Sequence, residues 1–359
     1  MRALARRFPS LPLGLHRYRL DQLVGGAIVV VALLLVPVLD SNVSQISAFA
    51  DAGYVLLLAF GLNIVVGYTG LLVLGYAAFF AIGAYTYGML ASPQFNLHYN
   101  FWLMLVVSAL VAAAFGVLLG APTLRLRGDY LAIVTLGFGE IVPQLLRNLD
   151  KFTNGPNGIV AIDQPSIGSY SFGFNPVPYY YLYFVVICVC LVLLNNLRHS
   201  RLGRAWMAIR EDELAAEHMG IDTTGVKLLA FSIGSAFAGV AGVIYASKVT
   251  TISPDDFQFQ VSVMILLAIV LGGIGNLVGV LVGGTIIALL NFLVLPQASN
   301  WAHAIGDKFG IGALQGLDLT NYHFMLFGLI LVLVMLFRPE GLVPSATVRA
   351  ELRAEQETA

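Results

Sequence analysis

Ten apolar runs, most of them close to the length of a membrane-spanning helix, follow one another along this chain. A helix rises 1.5 Å per residue, so about 20 residues cross a hydrocarbon core of about 30 Å. Only 11% of the residues are charged, against about a quarter in soluble domains. The sequence therefore predicts an all-α, polytopic integral membrane protein. The ten predicted spans are 22–39, 48–66, 71–91, 101–120, 129–147, 179–197, 227–247, 259–272, 277–296 and 321–338.

The positions of Lys and Arg set the predicted orientation of these spans. Fifteen of the nineteen Lys and Arg residues fall on one side of a ten-span topology and four fall on the other. Cytoplasmic loops carry such an excess of positive charge. We therefore expect both termini in the cytoplasm, with a basic N-terminal segment at 1–21, a membrane domain at 22–338 and a tail at 339–359. The arginines of the N-terminal segment are attributed to anchoring at the lipid surface rather than to nucleic-acid binding.

The longest polar passage between two apolar runs is the segment 200–227, which holds ten ionisable side chains in 28 residues. No Gly or Pro occurs between Arg204 and Met219, and Ala and Glu are frequent, which predicts a helix. Gly220 follows where a helix often ends in a left-handed residue, and Asp222, Thr223 and Thr224 are the candidate caps of the next span. Ala215 and Ala216 would give the helix a smooth patch surrounded by charge. The segment is predicted to be cytoplasmic and to be a docking element; an ordinary solvated loop is the alternative.

Motifs for nucleotide, metal or nucleophile chemistry are missing from the sequence. A Walker A loop needs Gly directly before its Lys, but the four lysines follow Asp150, Val226, Ser247 and Asp307. The sequence has no His-Glu-x-x-His, Cys-x-x-Cys or Gly-x-Ser-x-Gly, and no two histidines are three or four residues apart. We therefore predict no catalytic residue, no metal ligand and no cofactor on this chain.

Two polar residues stand out inside the predicted spans. Glu140 lies near the middle of span 129–147, where it must face protein or water, or be protonated. A structural hydrogen bond and a role in gating or the substrate path both remain open for it. Asn63 in span 48–66 is predicted to bond neighbouring helices or to line a path.

Glycines mark two similar turns, at 66–71 and 271–276. Small residues four apart, at Ser235 and Gly239 and again at Gly275, Gly279 and Gly283, predict close helix contacts. A role of such glycines in substrate passage is the alternative. The candidate path or gating residues are Asn63, Gly67, Thr69, Gly70, Glu140, Gly272, Gly273 and Gly275.

The segment 200–227 resembles the coupling-helix motif of ABC importer permeases, in which Glu-Ala-Ala is followed after three residues by Gly. Ala215, Ala216 and Gly220 match this motif in register. Leu214 occupies the Glu position, and Glu213 stands one residue early.

Over residues 50–343 the chain resembles the LivM-type permeases of branched-chain amino acid ABC importers. Asn154 departs from this pattern, because a second Gly is expected there. The matching stretches are Gly61–Tyr76, Leu124–Ile141, Gly155–Ile159, Leu202–Glu213, Ser253-Pro254 with Phe257, Val270–Gly275 and Arg338–Leu342.

This resemblance implies one permease subunit of an importer in the bacterial inner membrane. Its expected partners are a second, LivH-like permease, two ATP-binding subunits that carry ATP and Mg, a periplasmic amino-acid-binding protein and membrane lipid. The loop 148–178 would then be periplasmic. The residues expected to couple to the ATPase are Arg210, Glu211, Glu213, Leu214, Ala215, Ala216 and Gly220.

Three alternatives remain open at this point. Urea-import permeases share the glycine turns and the coupling segment, so urea is an alternative substrate. A secondary carrier or channel would transport without ATP, although such carriers tend to hold paired ionisable groups near the midplane. A membrane scaffold would transport nothing.

Overall fold

The computed structural model describes Pro37 and residues 42–123, 129–168, 170–309, 318–338 and 340–343. The chain separates into two compact units, Met1–Ile46 and Ser47–Ala359, and every contact discussed below lies within the second. The basic segment 1–21, nearly all of the predicted span 22–39 and most of the tail 339–359 lie outside the described residues.

Helices dominate the described residues. The described α-helices are α1 Val43–Leu62, α2 Ala77–Leu90, α3 Phe101–Thr123, α4 Asp129–Asn148, α5 Asp150–Thr153, α6 Pro176–His199, α7 Arg201–Glu211, α8 Glu213–His218, α9 Thr223–Val249, α10 Phe259–Gly272, α11 Leu277–Leu289, α12 Leu295–Phe309 and α13 His323–Phe337. The remaining elements are π-helices at Asn63–Tyr68 and Leu290–Val294, 3₁₀ turns at Gly155–Asn157, Pro254–Phe257 and Leu319–Tyr322, and a hairpin of β1 Ser166–Ile167 and β2 Tyr170–Ser171.

Seven described helical stretches are long and apolar enough to cross a membrane, and α2 is a shorter apolar helix. The seven are Val43–Tyr68, Phe101–Thr123, Pro176–His199, Thr223–Val249, Pro254–Gly272, Leu277–Ile305 and Leu319–Phe337. The all-α polytopic fold is therefore confirmed. The number of ten spans and the cytoplasmic position of the termini stay predictions.

The predicted span 71–91 is too long at its start, because α2 begins only at Ala77. Residues 71–76 run without regular structure, and their backbone bonds elsewhere: the Leu74 amide donates to Thr135 Oγ1 of α4 at 3.1 Å. The Ala77 amide donates to Ser262 Oγ of α10 at 2.9 Å. Gly75 lies so close to α4 that an added Cβ would stand 1.9 Å from the Thr135 carbonyl oxygen. Tertiary contacts thus override the apolar composition of this stretch.

Helix α9 packs along α2 and α3, and small residues allow the close approach. A Cβ on Gly83 of α2 would lie 2.5 Å from the Gly239 Cα, and one on Gly239 would lie 2.7 Å from the Ala112 Cβ of α3. Gly279 and Gly283 of α11 meet Gly272 of α10 in the same way. The helix contacts predicted from the small-residue spacing are therefore confirmed.

Candidate functional site

The polar segment between α6 and α9 folds as two helices, α7 and α8, with a break at Asp212. The prediction of one helix from Arg204 to Met219 is wrong in this respect. Asp212 has an extended backbone with φ −154°, and its carboxylate accepts a hydrogen bond from the Ala215 amide at 3.0 Å. An Asp at this position satisfies one of the free amides at a helix start. The side chain therefore begins α8 instead of continuing α7.

The end of this segment follows the prediction. Gly220 has φ +84°, and the Ile221 amide donates to the Ala216 carbonyl at 3.1 Å, which closes α8 in a left-handed cap. Asp222 caps α9 by accepting from the Gly225 amide at 3.0 Å. Both ends of the link between α8 and α9 are thus fixed by local bonds.

The predicted patch of Ala215 and Ala216 is divided between two faces of α8. Ala216 is buried, whereas Ala215 is exposed. Leu214 is 54% exposed and Met219, directly after α8, is 84% exposed, so the outer surface of α8 and its C-terminal cap carries two apolar side chains. Sequence reasoning missed Met219, although an apolar residue directly before the helix-ending Gly220 was a visible signal.

Glu213 faces α9. Its Oε1 lies 2.6 Å from Nζ of Lys227, whose side chain is only 5% exposed. A buried ammonium needs such a counter-charge. Glu213 thus ties α8 to α9, while Glu211 of α7 is exposed.

Arg210 points inward, to the first glycine turn. Its Nη1 donates to the Gly67 carbonyl at 2.6 Å. A Cβ on Gly70, which has φ +72°, would meet its Cγ at 3.1 Å, and one on Gly275 would meet its Nη1 at 2.9 Å. The Arg210 side chain thus lies against both glycine turns, and its coupling to an ATPase stays a prediction.

Trp206 adds a second contact between α7 and the π-helix Asn63–Tyr68. Its ring is fully buried and stacks on Tyr68 with centroids 6.4 Å apart, and its Nε1 donates to the Val226 carbonyl at 2.7 Å. Sequence reasoning missed this residue. Its signal was the helical spacing of Gly203, Trp206 and Ile209, which are the buried residues of α7.

Asn63 joins the two glycine turns, which are more than 200 residues apart in sequence. Its Oδ1 accepts from the Gly275 amide at 3.0 Å, and it is 1% exposed. A Cβ on Gly67 would stand 2.1 Å from this oxygen. We call the group of Asn63, Gly67, Gly70, Arg210 and Gly275 the glycine junction.

Three other predicted path residues lie outside this junction. Thr69 is buried and donates from Oγ1 to the Val65 carbonyl of its own helix at 2.5 Å. Gly272 serves the contact of α10 with α11, and its carbonyl accepts from the Val343 amide at 3.0 Å. Gly273 has φ +117° and lies against Gly341. These glycines hold the end of the described chain to α10.

Glu140 is also separate from the junction, since it is exposed on α4. In the loop 148–178, Asn154 has φ +61° and donates from Nδ2 to the Gly158 carbonyl at 2.9 Å. Asn tolerates this left-handed backbone better than most residues, which accounts for its place where a Gly is expected. Within the described residues, no group of three or more His, Cys, Asp and Glu could hold a metal ion.

Comparison with known proteins decides the family. Residues 45–335 match the family described as branched-chain amino acid transport system, permease component. The chain belongs to this permease family. It is thus a multi-pass membrane protein of a transport family rather than a member of an enzyme family.

Several permeases of known type are similar to this chain. The high-affinity branched-chain amino acid permease LivM of Salmonella typhimurium is 39% identical over 84% of this chain and 70% of its own length, and LivM of Escherichia coli is 38% identical over 83% and 69%. The permease LivH of Escherichia coli is 33% identical over 43% of each chain. No solved structure matches the chain.

Proposed function

We propose that this chain is one of two permease subunits of an ATP-driven importer of branched-chain amino acids in the bacterial inner membrane. The bond from Arg210 to the Gly67 carbonyl carries this proposal, because it joins the polar segment directly to the turns between the spans. The similarity to both LivM and LivH supports a pair of related permeases. ATP and Mg would be bound by two partner subunits, since this chain has no Gly-Lys pair, and a periplasmic binding protein would deliver the substrate.

The two faces of the polar segment 200–227 suit it to transmit motion from the ATP-binding subunits to the spans. On the outer side, Leu214 and Met219 offer apolar contact to an ATP-binding subunit. On the inner side, Arg210 and Trp206 contact the π-helix Asn63–Tyr68. When the ATP-binding subunits close, α7 and α8 move together and carry the glycine junction with them. The spans then alternate between states open to either side.

Reconstituted uptake tests the function as a whole. The complex is purified with its partner chains and inserted into vesicles, and uptake of leucine and urea is followed with and without ATP. We expect ATP-dependent uptake of leucine. Leucine uptake that persists without ATP would favour the secondary carrier, and uptake of urea alone would place the chain among the urea permeases.

The apolar outer surface of α8 gives a first testable prediction. Replacing both Leu214→Ser and Met219→Ser should weaken binding of the ATP-binding subunits at least tenfold, because burying each side chain contributes about 1.5–3 kcal/mol. The readout is the yield of ATP-binding subunits that co-purify with the permease. His218→Ser, an exposed change on the same helix, is the control and should leave the yield unchanged. Equal yields from all three proteins would exclude this surface.

The ion pair between Glu213 and Lys227 gives a second prediction. Glu213→Gln should lower the free energy of unfolding by roughly 1–3 kcal/mol, because the buried ammonium loses its counter-charge, although solvent screens the 35% exposed Glu213 in part. Adding Lys227→Met should restore most of that loss, since the uncompensated charge is then removed as well. Thermal unfolding of the purified complex measures both steps. Glu217→Gln, at an exposed position of α8, is the control; an equal loss in the single and double variants would contradict the argument.

A further inference from the structure

A half-open apolar cavity of about 570 Å³ lies along one face of α4. Side chains from four helices line it, and six of its lining residues are Ile133, Gly137 and Ile141 of α4, Phe79 of α2, Leu119 of α3 and Phe231 of α9. The volume falls within the range of roughly 300–1,000 Å³ that small-molecule sites occupy. At Gly137 a Cβ would meet nothing within 4 Å, so the space in front of this residue is open.

A carboxylate lies on α4 next to residues that line this cavity, although it is not itself one of the lining residues. Glu140 follows Gly137 by three residues and directly precedes Ile141, and residues three apart share a helix face. Glu140 is exposed, and so is Gln144 one turn further on. A carboxylate within a membrane is costly against lipid and needs protein or water around it. A hydrated space or another subunit on this face of α4 would meet that need.

We propose that the cavity and Glu140 together form a binding site for the transported amino acid. The branched side chain occupies the apolar cavity, and the α-ammonium group pairs with the Glu140 carboxylate next to it. The substrate carboxylate points to the open side of the cavity. The inference rests on the proposed function and adds the contacts by which the site accepts an apolar amino acid. Urea is rejected because it has neither an ammonium group nor an apolar side chain.

Protection of a cysteine tests the site directly. Gly137→Cys is introduced into a chain that carries Cys188→Ala and Cys190→Ala, and its labelling by a small thiol reagent is followed in the reconstituted complex. Saturating leucine should slow this labelling at least about fivefold, whereas urea should not slow it. Gly328→Cys on α13 is the matched control, because a Cβ there also meets nothing within 4 Å, and leucine should leave its labelling rate unchanged.

Glu140→Gln in the same background tests the ammonium contact, and we expect it to abolish most of the protection by leucine. Full protection in this variant would overturn the pairing. A Gly137→Cys that is labelled equally with and without leucine, or that is never labelled, would overturn the site, with lipid or a partner subunit filling the cavity. ATP-driven leucine uptake by the wild-type complex is measured in parallel, so failure of the proposed function is recognised separately.

Discussion

Arg210→Met should separate ATP hydrolysis from transport. The substitution keeps a long side chain but removes the donor to the Gly67 carbonyl, and a hydrogen bond to a charged group contributes about 1.5–3 kcal/mol. That loss corresponds to a factor of about ten or more. We therefore expect ATP-driven leucine uptake to fall at least tenfold while the reconstituted complex still hydrolyses ATP, because the outer face of α8 is untouched.

A control on the same helix separates this effect from a loss of positive charge. Arg204 is exposed, and its Nη1 bonds to the nearby His199 carbonyl at 2.8 Å. Arg204→Met should therefore retain both hydrolysis and uptake. Leucine uptake by Arg210→Lys should fall between that of the wild type and that of Arg210→Met, because the Lys side chain is shorter and carries its charge on one compact ammonium group. Normal uptake by Arg210→Met, or equal losses of uptake and hydrolysis, would contradict the transmission role.

The spans were predictable because apolar runs in lipid leave the backbone few alternatives to a helix. The bounds of α10 agree with the predicted span 259–272 to the residue, and those of α6 and α9 within a few residues. Local chemistry also predicted the left-handed Gly220 and the cap at Asp222. In each case the deciding interactions lie within a few residues along the chain.

The glycine junction was only partly predictable. Asn63 was singled out as a polar residue inside a span, and Gly67, Gly70 and Gly275 as members of two similar turns, but the bond from Asn63 to Gly275 spans 212 residues. No local pattern in the sequence indicates that two residues so far apart pair with each other. Arg210 illustrates the same limit, because a charged residue in a polar helix favours an outward orientation, and only its 2.6 Å bond to Gly67 shows the inward one.

The orientation of other residues in the segment 200–227 was not predicted, for one shared reason. Glu213 neutralises the buried Lys227, a pairing that the sequence did not indicate, and its contact with an ATPase stays a prediction. Ala215 and Ala216 were treated as one patch, yet neighbouring helix residues lie about 100° apart, so a single short helix cannot present both equally. Side-chain direction depends on what packs against a helix, and for a polar helix with two different faces the sequence leaves that choice open.

Gly275→Ala should have the second large effect, because the junction has no room for a methyl group. Gly275 has φ +82°, and its added Cβ would lie 2.9 Å from Nη1 of Arg210 and 3.0 Å from the Gly67 carbonyl oxygen. The alanine therefore strains the left-handed backbone and pushes apart the very atoms that the junction joins. We expect leucine uptake to fall at least about tenfold, with a clear drop in the thermal midpoint of the complex.

Gly173→Ala provides the matched control for this prediction. Gly173 has φ +57°, and a Cβ there meets nothing within 4 Å. Both substitutions carry the left-handed cost of about 1–2 kcal/mol, but only Gly275→Ala also crowds Arg210 and Gly67. The difference in leucine uptake between the two variants therefore measures the effect of crowding Arg210 and Gly67. If Gly275→Ala loses no more uptake than Gly173→Ala, the spacing of the junction is not needed for transport. If Gly275→Ala does lose more, combining it with Arg210→Met should lower uptake little further, because both changes disrupt the same contact.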